Sequence, residues 1–354
     1  MKKLFSFFCF LFCIFILFGV GCSSKIKNAP VTRTGFAFDT VVSITIYDEK
    51  KADVLDTCLA ICEKYESLFS TTQEGSDIWN INHSNGSAVA VSYDTAQLIQ
   101  SALLYCDLSN GMLDITLRPL SEAWNISGQM KEASESPDYE YTIPSAQTLS
   151  ELLTHVNYKN VLITDETGSM VGYNDILSEN NRYFATLKDS QSAIDLGFIA
   201  KGFIADHLKA YLLSEGIDSG IISLGGNILL IGSKPDGSSY HIGIQKPFAG
   251  GNEVITTIQN CDGSVVSSGC YERYFLLDEK NEIIYHHIFD TKTGYPVQND
   301  LLGVTILSDS SLQGDALSTY CYMLGLDEGL AYVRSLDNLE AIFITKDFEV
   351  VTSY

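Results

Sequence analysis

The composition of this 354-residue chain is that of a folded and strongly acidic protein. Hydrophobic residues make up 45% of the sequence, charged residues 19%, and the formal net charge at pH 7 is -22. The apolar fraction is that of globular domains, so most of the chain is expected to fold. A surface of this charge repels the phosphates of nucleic acid, which excludes nucleic acid as an expected partner. An anionic ligand would need a local cation, a helix N-terminus or a bridging metal.

Residues 1–21 carry the pattern of an export signal. A basic start is followed by an apolar run, Leu4–Val20, that ends at Gly21 and Cys22. The run is short for a membrane span, and its small-residue ending before a cysteine is typical of a bacterial lipoprotein signal. We therefore expect cleavage before Cys22, a lipid on that cysteine, a polar tether over 22–35, and a location on the extracytoplasmic face of the cell membrane. An uncleaved transmembrane anchor is the alternative.

Hydrophobic periodicity predicts one mixed α/β domain over residues 36–354. Spacings of three and four predict helices at 51–69, 94–108, 145–156, 200–214 and 315–324. Alternation predicts strands at 40–47, 221–224, 241–245, 253–259, 264–267 and 304–308, and hairpins at 274–288 and 340–353. Residues 127–142 are polar and are predicted to form an irregular surface segment. The many antiparallel neighbours favour the α+β class, with mixed, largely antiparallel sheets flanked by helices.

Motifs of several common enzyme classes are missing from the sequence. No GxGxxG follows a predicted strand, and there is no GxxxxGK[ST], HExxH or GxSxG. The sequence therefore gives no support to a Rossmann dehydrogenase, a P-loop enzyme, a zincin or an α/β-hydrolase.

Two stretches have the composition of phosphate and metal sites. Asp195–Gly202 places an acid, a loop glycine and Lys201 where a strand is predicted to turn into a helix, and a helix N-terminus with a lysine is suited to phosphate. The alternative is a turn with a solvated lysine. In Gly314–Thr319, Asp315 and Thr319 lie one helical turn apart on one face, and their oxygens suit Mg²⁺. The alternative is Asp315 as a helix cap and Thr319 bonded to its own helix.

Two further stretches combine polar residues with turn signals. Gly111–Leu120 has an acid directly after a helix stop and then an Arg-Pro pair, which is also consistent with an ordinary capped turn. Ser267–Arg273 is followed by His286, His287 and Asp290, a grouping that could place a general base at a strand end. Neighbouring residues of a strand face opposite sides, so His287 is the candidate base and His286 the sheet-packing histidine. Asp290 is the candidate group that orients His287.

Together these stretches resemble the FAD:protein FMN transferase family, also called the ApbE family of thiamine-associated lipoproteins. The resemblance extends from about Phe36 to the C-terminus. The stretches that match in the family's order are Asp195–Gly202, Leu224–Asn227, His287–Pro296 and Asp315–Thr319, with a weaker match at Ser76-Asp77-Ile78 and Asn82.

The resemblance implies an ApbE-like flavin transferase fold that binds FAD and Mg²⁺. It implies a metal held by the carbonyl of Phe198, by Asp315 and by Thr319. It also implies FAD contacts from a wider set: Phe38, Thr72, Met112, Leu113, Asp114, Asp195, Lys201 and Phe289. Thr72 stands where the family often has an aromatic residue, and Cys270 where it often has an acid.

The activity implied is Mg²⁺-dependent transfer of FMN from FAD to a threonine hydroxyl of an exported redox protein, with release of AMP. Such an enzyme is a transferase that acts on a phosphorus-containing group. The alternatives are a pyrophosphatase that converts FAD to FMN and AMP, a lipoprotein that binds flavin without catalysis, and the solute-binding lipoprotein of a transporter.

Overall fold

The computed structural model describes residues 29–136, 138–250, 253–277 and 283–354. The predicted signal peptide at 1–21 and the predicted lipid site, Cys22, lie outside the described residues. Within those ranges, no helix is both long enough and apolar enough to span a bilayer.

The helices differ from the prediction mainly in number. Beside two 3₁₀ turns, the structure has α1 (Val54–Phe69), α2 (Asp77–Asn82), α3 (Tyr93–Leu108), α4 (Arg118–Trp124), α5 (Ile126–Glu135), α6 (Ala146–Leu153), α7 (Ala200–Ser214), α8 (Ser311–Leu324) and α9 (Leu326–Arg334). The predicted bounds of α7 are those observed. Helix α8 begins at Ser311, one turn before the predicted Asp315.

The strands form one large sheet and three small ones. They are β1 (Val31–Ala37), β2 (Thr40–Ile46), β3 (Val89–Val91), β4 (Val161–Asp165), β5 (Tyr183–Leu187), β6 (Gly220–Leu224), β7 (Asn227–Ile231), β8 (Tyr240–Gln245), β9 (Val254–Asn260), β10 (Gly263–Gly269), β11 (Tyr274–Leu276), β12 (Ile284–His286), β13 (Leu301–Ser308), β14 (Glu340–Thr345) and β15 (Val350–Thr352). The eight-stranded sheet has the order β1-β2-β6-β7-β10-β13-β14-β15, and the small sheets are β3-β5-β4, β8-β9 and β11-β12. Each of these strand pairings is antiparallel, which agrees with the predicted α+β class.

The tether predicted over 22–35 is wrong in its last part, because β1 begins at Val31. The strand pairs with β2, with Val31 opposite Ile46. Its inward positions include Arg33, which forms an ion pair with Asp56 on α1 at 3.1 Å. An arginine at an inward position breaks the apolar alternation that would have identified the strand.

The irregular segment predicted at 127–142 is also wrong, because α5 occupies Ile126–Glu135. The segment is organised around a buried polar residue, Gln129. Its Nε2 donates to the carbonyls of Trp124 at 2.8 Å and Thr142 at 3.0 Å, and its Oε1 accepts from Thr142 N–H at 2.8 Å. Ile126 and Met130 of α5 pack into an apolar cluster, but the buried position between them is the polar Gln129, so apolar periodicity does not reveal the helix.

Two helices on the large sheet carry Lys201, Asp315 and Thr319 of the predicted site. Helix α7 packs on β6 and β7, α8 packs on β10 and β13, and the two helices pack on each other. Val42, Ile44 and Ile46 are fully buried in the core beside α1 and α7, as the alternation in β2 predicts.

Candidate active site

The N-terminal ends of α7 and α8 meet at Gly202 and Ser311. A Cβ atom at Gly202 would lie 2.3 Å from the carbonyl oxygen of Ser311, so only glycine permits this approach of the two backbones. Asp315 on α8 reaches across the contact, and its Oδ2 accepts from the N–H of Gly202 at 2.8 Å. The capping role considered from the sequence therefore exists, but Asp315 caps the neighbouring helix rather than its own.

Three oxygen groups predicted to bind a metal belong to this pair of helix ends. In a regular helix the N–H of Gly202 would bond to the carbonyl of Phe198, but here it donates to Asp315. No donor to the Phe198 carbonyl is found in the described ranges. On α8, the hydroxyl of Thr319 lies 3.1 Å from Oγ of Ser268. An unbonded carbonyl, a carboxylate and a hydroxyl are hard oxygen donors, so these residues fit Mg²⁺.

The Asp315 carboxylate is buried, and burial raises its pKa, while the charge of Lys201 opposes the rise. Asn227 lies fully buried beside it. Its Oδ1 accepts from the Ser311 hydroxyl at 2.7 Å, whereas its Nδ2 makes no regular hydrogen bond within the described residues. That amide is still near enough to lower the pKa of Asp315. Asn227 therefore connects the start of α8, through Ser311, to the Asp315 carboxylate.

Lys201 and Glu272 lie beside Asp315 in an open cleft. Glu272 is exposed to solvent, yet desolvation raises its pKa, a combination expected for a carboxylate at the base of a cleft. Lys201 and Arg273 lower the same pKa, so both cations are close. The Oε1 of Glu272 lies only 2.9 Å from the position that a Cβ of Gly226 would take. The cleft therefore contains two cations, Lys201 and Arg273, beside two carboxylates, Asp315 and Glu272. Because Gly226 has no side chain, the Glu272 carboxylate can lie against its backbone.

His286 has the environment of a structural histidine. It is buried at the end of β12, with Nε2 2.8 Å from the Val297 carbonyl, while Ile288 N–H donates to Nδ1 at 3.2 Å. A carbonyl only accepts, so the proton lies on Nε2 and both ring nitrogens are occupied. Burial lowers the pKa of His286 to about 4.

Of the two ring nitrogens of His287, only Nδ1 has a hydrogen-bond partner among the residues that the structure describes, and Nε2 has none. His287 is half-buried, and its Nδ1 lies 3.4 Å from the carbonyl of Arg273. Desolvation, and then the charge of Arg273, lowers the pKa of His287 to about 3, so the ring is neutral at pH 7. With the proton on Nδ1, Nε2 keeps a lone pair that can accept a proton. Asp290, the predicted orienting group, instead accepts from Lys292 N–H at 2.8 Å, and the Arg273 carbonyl takes that position.

Asp195 is held in place from both sides of the chain. Its Oδ1 accepts from Gly197 N–H at 2.8 Å. The residue before it, Ile194, is clamped by Asn82, whose Oδ1 accepts from Ile194 N–H at 2.6 Å and whose Nδ2 donates to the Ile194 carbonyl at 3.0 Å. Asn82 thus fixes the backbone that leads to Asp195, a role that sequence reasoning did not assign.

Arg118 links Asp195 to the loop of Thr72. One guanidinium nitrogen, Nη1, donates to the hydroxyl of Thr71 at 2.6 Å and lies 3.7 Å from Oδ2 of Asp195. The neighbouring Thr72 is exposed. The sequence showed Arg118 only as half of an Arg-Pro pair, because the partners that give it a role come from distant segments.

The three predicted FAD contacts Met112, Leu113 and Asp114 differ in their exposure to solvent. Met112 is half-buried, but Leu113 is buried in the core. Asp114 is also buried, and its oxygens accept from the N–H groups of Thr116 and Tyr158, each at 2.8 Å. Its side chain therefore anchors its own turn, and burial raises its pKa.

Phe289 is a core residue beside the site. Its ring stacks on Trp124 with centroids 6.0 Å apart, and the indole N–H of Trp124 donates to the Gly294 carbonyl at 2.8 Å. Thr291 donates from its hydroxyl to the Gly111 carbonyl at 2.8 Å. These contacts hold the loop after His287 against the turn that carries Met112.

Phe38 lies in the turn of the β1–β2 hairpin. Its φ of 56° is in the left-handed region, and its N–H donates to Oε1 of Glu66 at 3.1 Å. A Cβ at Gly225 would lie 2.7 Å from Oγ1 of Thr40, so the hairpin turn lies against the glycine turn of the cleft. The hairpin therefore places the half-buried Phe38 near the cleft.

The comparison with known families agrees with this arrangement. The sequence model described as the ApbE family matches residues 38–343. The chain belongs to the ApbE family. Two curated relatives are named FAD:protein FMN transferase. The one from Klebsiella pneumoniae is 31% identical over 94% of this chain and 90% of its own length. The one from Treponema pallidum is 30% identical over 96% and 91%.

Solved structures of ApbE proteins share the fold. The crystal structure of the ApbE protein from Thermotoga maritima is 28% identical, with a TM-score of 0.77 over 91% of this chain and 96% of its own. The flavin transferase ApbE from Vibrio cholerae, at 23% identity, has a TM-score of 0.70 over 92% and 96%. The predicted family and fold class are thereby confirmed.

Proposed function

We propose that this ApbE-family chain transfers FMN from FAD to a protein hydroxyl and releases AMP. Family membership and the names of the relatives support this activity. The observation that carries it is the convergence, in one cleft, of Lys201, Asp315 and a neutral His287 with a vacant ring nitrogen position for a proton. These are the group types that phosphoryl transfer needs, namely cations for the phosphates and a base for the nucleophile.

The cleft can bind the FAD pyrophosphate despite the acidity of the chain. The net charge of -22 opposes an anion, so the attraction must be local. Lys201 and Arg273 supply two positive charges beside Glu272.

The metal of this reaction would be Mg²⁺, held by the Phe198 carbonyl, Asp315 and Thr319. When bound, it would neutralise phosphate charge and stabilise AMP as the leaving group. Asp315 supplies the one negative ligand, and the N–H of Gly202 fixes one of its oxygens at 2.8 Å.

In the transfer step, the acceptor hydroxyl, FAD and His287 account for every bond that forms or breaks and for the proton. The hydroxyl oxygen of the acceptor forms a bond to the FMN phosphorus, the bond from that phosphorus to the AMP oxygen breaks, and Nε2 of His287 takes the hydroxyl proton. In the free protein, Arg273 and Lys201 lower the pKa of His287. Pairing of these cations with the pyrophosphate would raise that pKa and make His287 a better base.

The acceptor would be a threonine of an exported redox protein. The export signal and the lipid on Cys22 would place the enzyme on the extracytoplasmic face of the membrane. Tethering raises the local concentration of the enzyme relative to acceptors anchored in the same membrane. Transfer to such acceptors is therefore favoured over transfer to water.

The test is to incubate the mature protein, starting at Cys22, with FAD, Mg²⁺ and candidate exported flavoproteins, and to measure acceptor mass and AMP. Transfer predicts an FMN phosphoester on threonine and one AMP for each modification. AMP and free FMN without any modified acceptor would show a pyrophosphatase. Bound FAD without AMP would show a flavin carrier.

A further inference from the structure

A carboxylate outside the predicted metal set caps the helix that carries two of the metal ligands. Asp206 on α7 accepts from the backbone N–H of Ser311 through Oδ1 at 2.8 Å. Its Oδ2 accepts from the N–H of Leu312 at 3.0 Å and from the hydroxyl of Ser310 at 2.8 Å. Helix N-termini leave such N–H groups without intrahelical partners, so Asp206 satisfies the first donors of α8.

The capping is reciprocal. Asp206 lies one turn after Gly202 on α7 and caps α8, while Asp315 lies one turn after Ser311 on α8 and caps α7. The contact point of this crossing is Gly202 against Ser311, where no side chain fits between the backbones. We call Asp206, Gly202, Ser311 and Asp315 the helix clamp.

The clamp connects all three predicted metal ligands. Phe198 lies two residues before α7, and within the described segments its carbonyl has no donor because Asp315 takes the Gly202 N–H. Asp315 and Thr319 lie on α8. The separation of the Phe198 carbonyl from the two α8 ligands therefore depends on how the two helix ends are joined.

We propose that Asp206 is a positioning residue for the metal site, acting through α8 rather than by contact with the metal. This inference rests on the proposed Mg²⁺ site. Without Asp206, Ser311 N–H and Leu312 N–H lose their acceptor at a crossing that has no room for another side chain. The first turn of α8 then loses the link to α7 that Asp206 makes, and we expect Asp315 to shift relative to the Phe198 carbonyl. Groups that orient metal ligands in this way typically change metal affinity by about 10–100-fold when they are removed.

The test measures metal affinity directly, with Mn²⁺ as the probe. The mature protein and its variants are titrated with Mn²⁺, free Mn²⁺ is counted by electron paramagnetic resonance, and Mg²⁺ is then used to displace it. Asp206→Ala should weaken Mn²⁺ affinity by about 10–100-fold. Asp206→Asn should have an intermediate effect, because its carboxamide oxygen can still accept one N–H.

The matched control is Ser92→Ala, which removes another helix cap. Ser92 accepts from Thr95 N–H at 3.1 Å at the start of α3, away from α7 and α8. The Ser92→Ala variant should have a lower midpoint of thermal unfolding and an unchanged Mn²⁺ affinity. Wild-type Mn²⁺ affinity in Asp206→Ala, or an equal loss in Ser92→Ala, would overturn the proposal. If Asp206→Ala does not fold, Asp206→Asn decides by the same criteria.

Failure of the proposed function gives a different result. A wild-type protein that binds Mn²⁺ but modifies no acceptor would leave the role of Asp206 to be decided by the affinities alone. A wild-type protein that modifies acceptors while Asp206→Ala keeps full metal affinity would refute the positioning role and leave the transferase standing.

Discussion

Gly202→Ala is the sharpest perturbation of the crossing between α7 and α8. The new Cβ would lie 2.3 Å from the Ser311 carbonyl oxygen and 2.6 Å from the Leu312 Cα. Ordinary contacts are about 3.5 Å, so the helix ends must separate by about 1 Å. Both obstructing atoms belong to backbone, so no side-chain rotation can relieve the contact.

The effect on stability is small because two terms oppose each other. Alanine in a helix is favoured over glycine by about 1 kcal/mol, while overpacking costs about 1–3 kcal/mol. We therefore expect the free energy of unfolding to fall by about 0–2 kcal/mol. Activity should fall further, because displacement of catalytic groups by about 1 Å reduces rates by roughly 10²-fold. Gly202→Ala should lose about that factor in FMN transfer and bind Mn²⁺ more weakly.

The control is Gly128→Ala in α5. Its Cβ would meet only the side chain of Asn125, with Oδ1 at 2.3 Å, and that side chain can rotate away. This variant should keep full transfer activity with equal or higher stability. The assay combines thermal unfolding, Mn²⁺ titration and the rate of AMP release. Wild-type rate and metal affinity in Gly202→Ala would refute the argument that the crossing fixes the site.

The remaining predictions concern ligands, base and anchor. Asp315→Ala should nearly abolish AMP release and Mg²⁺-dependent FAD binding, whereas Thr319→Ala should be milder because a neutral hydroxyl is a weaker ligand; equal effects in FAD titrations would contradict the ranking. His287→Ala should lose about 10²–10⁴-fold in rate while it retains most FAD affinity, and a larger loss in His286→Ala would reverse the assignment. Because the pKa of His287 is lowered to about 3, kcat/KM should show no acid limb from it between about pH 5 and 8, and a limb near an ordinary histidine pKa would contradict the structure. Cys22→Ala should leave the protein without covalent lipid by mass spectrometry, and a lipid still present would exclude Cys22 as the site.

The sequence predicted the elements that are identified by the spacing of apolar residues within the element itself. The bounds of α7 follow from its apolar spacing, and the alternation of Val42, Ile44 and Ile46 identifies β2. Strand β1 and helix α5 were missed because a polar residue takes an inward position in each, Arg33 in β1 and the buried Gln129 in α5. The pattern of apolar residues along the chain does not reveal such polar positions.

The same division holds for the site. The sequence placed Asp195, Lys201, Asp315 and His287 in stretches that a plain core does not require. The resemblance to ApbE proteins gave roles to the first three, and strand alternation gave His287 its role as candidate base. The sequence named Glu272 only as part of Ser267–Arg273 and did not place it beside Lys201, where the structure brings it against the turn at Gly226.

The sequence alone determined the family, the fold class and the segments that carry chemistry, because motifs and periodicity are properties of neighbours along the chain. Only the tertiary structure decided that Nδ1 of His287 lies against the Arg273 carbonyl and that Nε2 of His286 bonds to the Val297 carbonyl. It also decided that Asp206 and Asp315, far apart in sequence, cap each other's helices. These facts depend on distances between segments that fold together from separate parts of the chain, and the order of residues does not contain those distances.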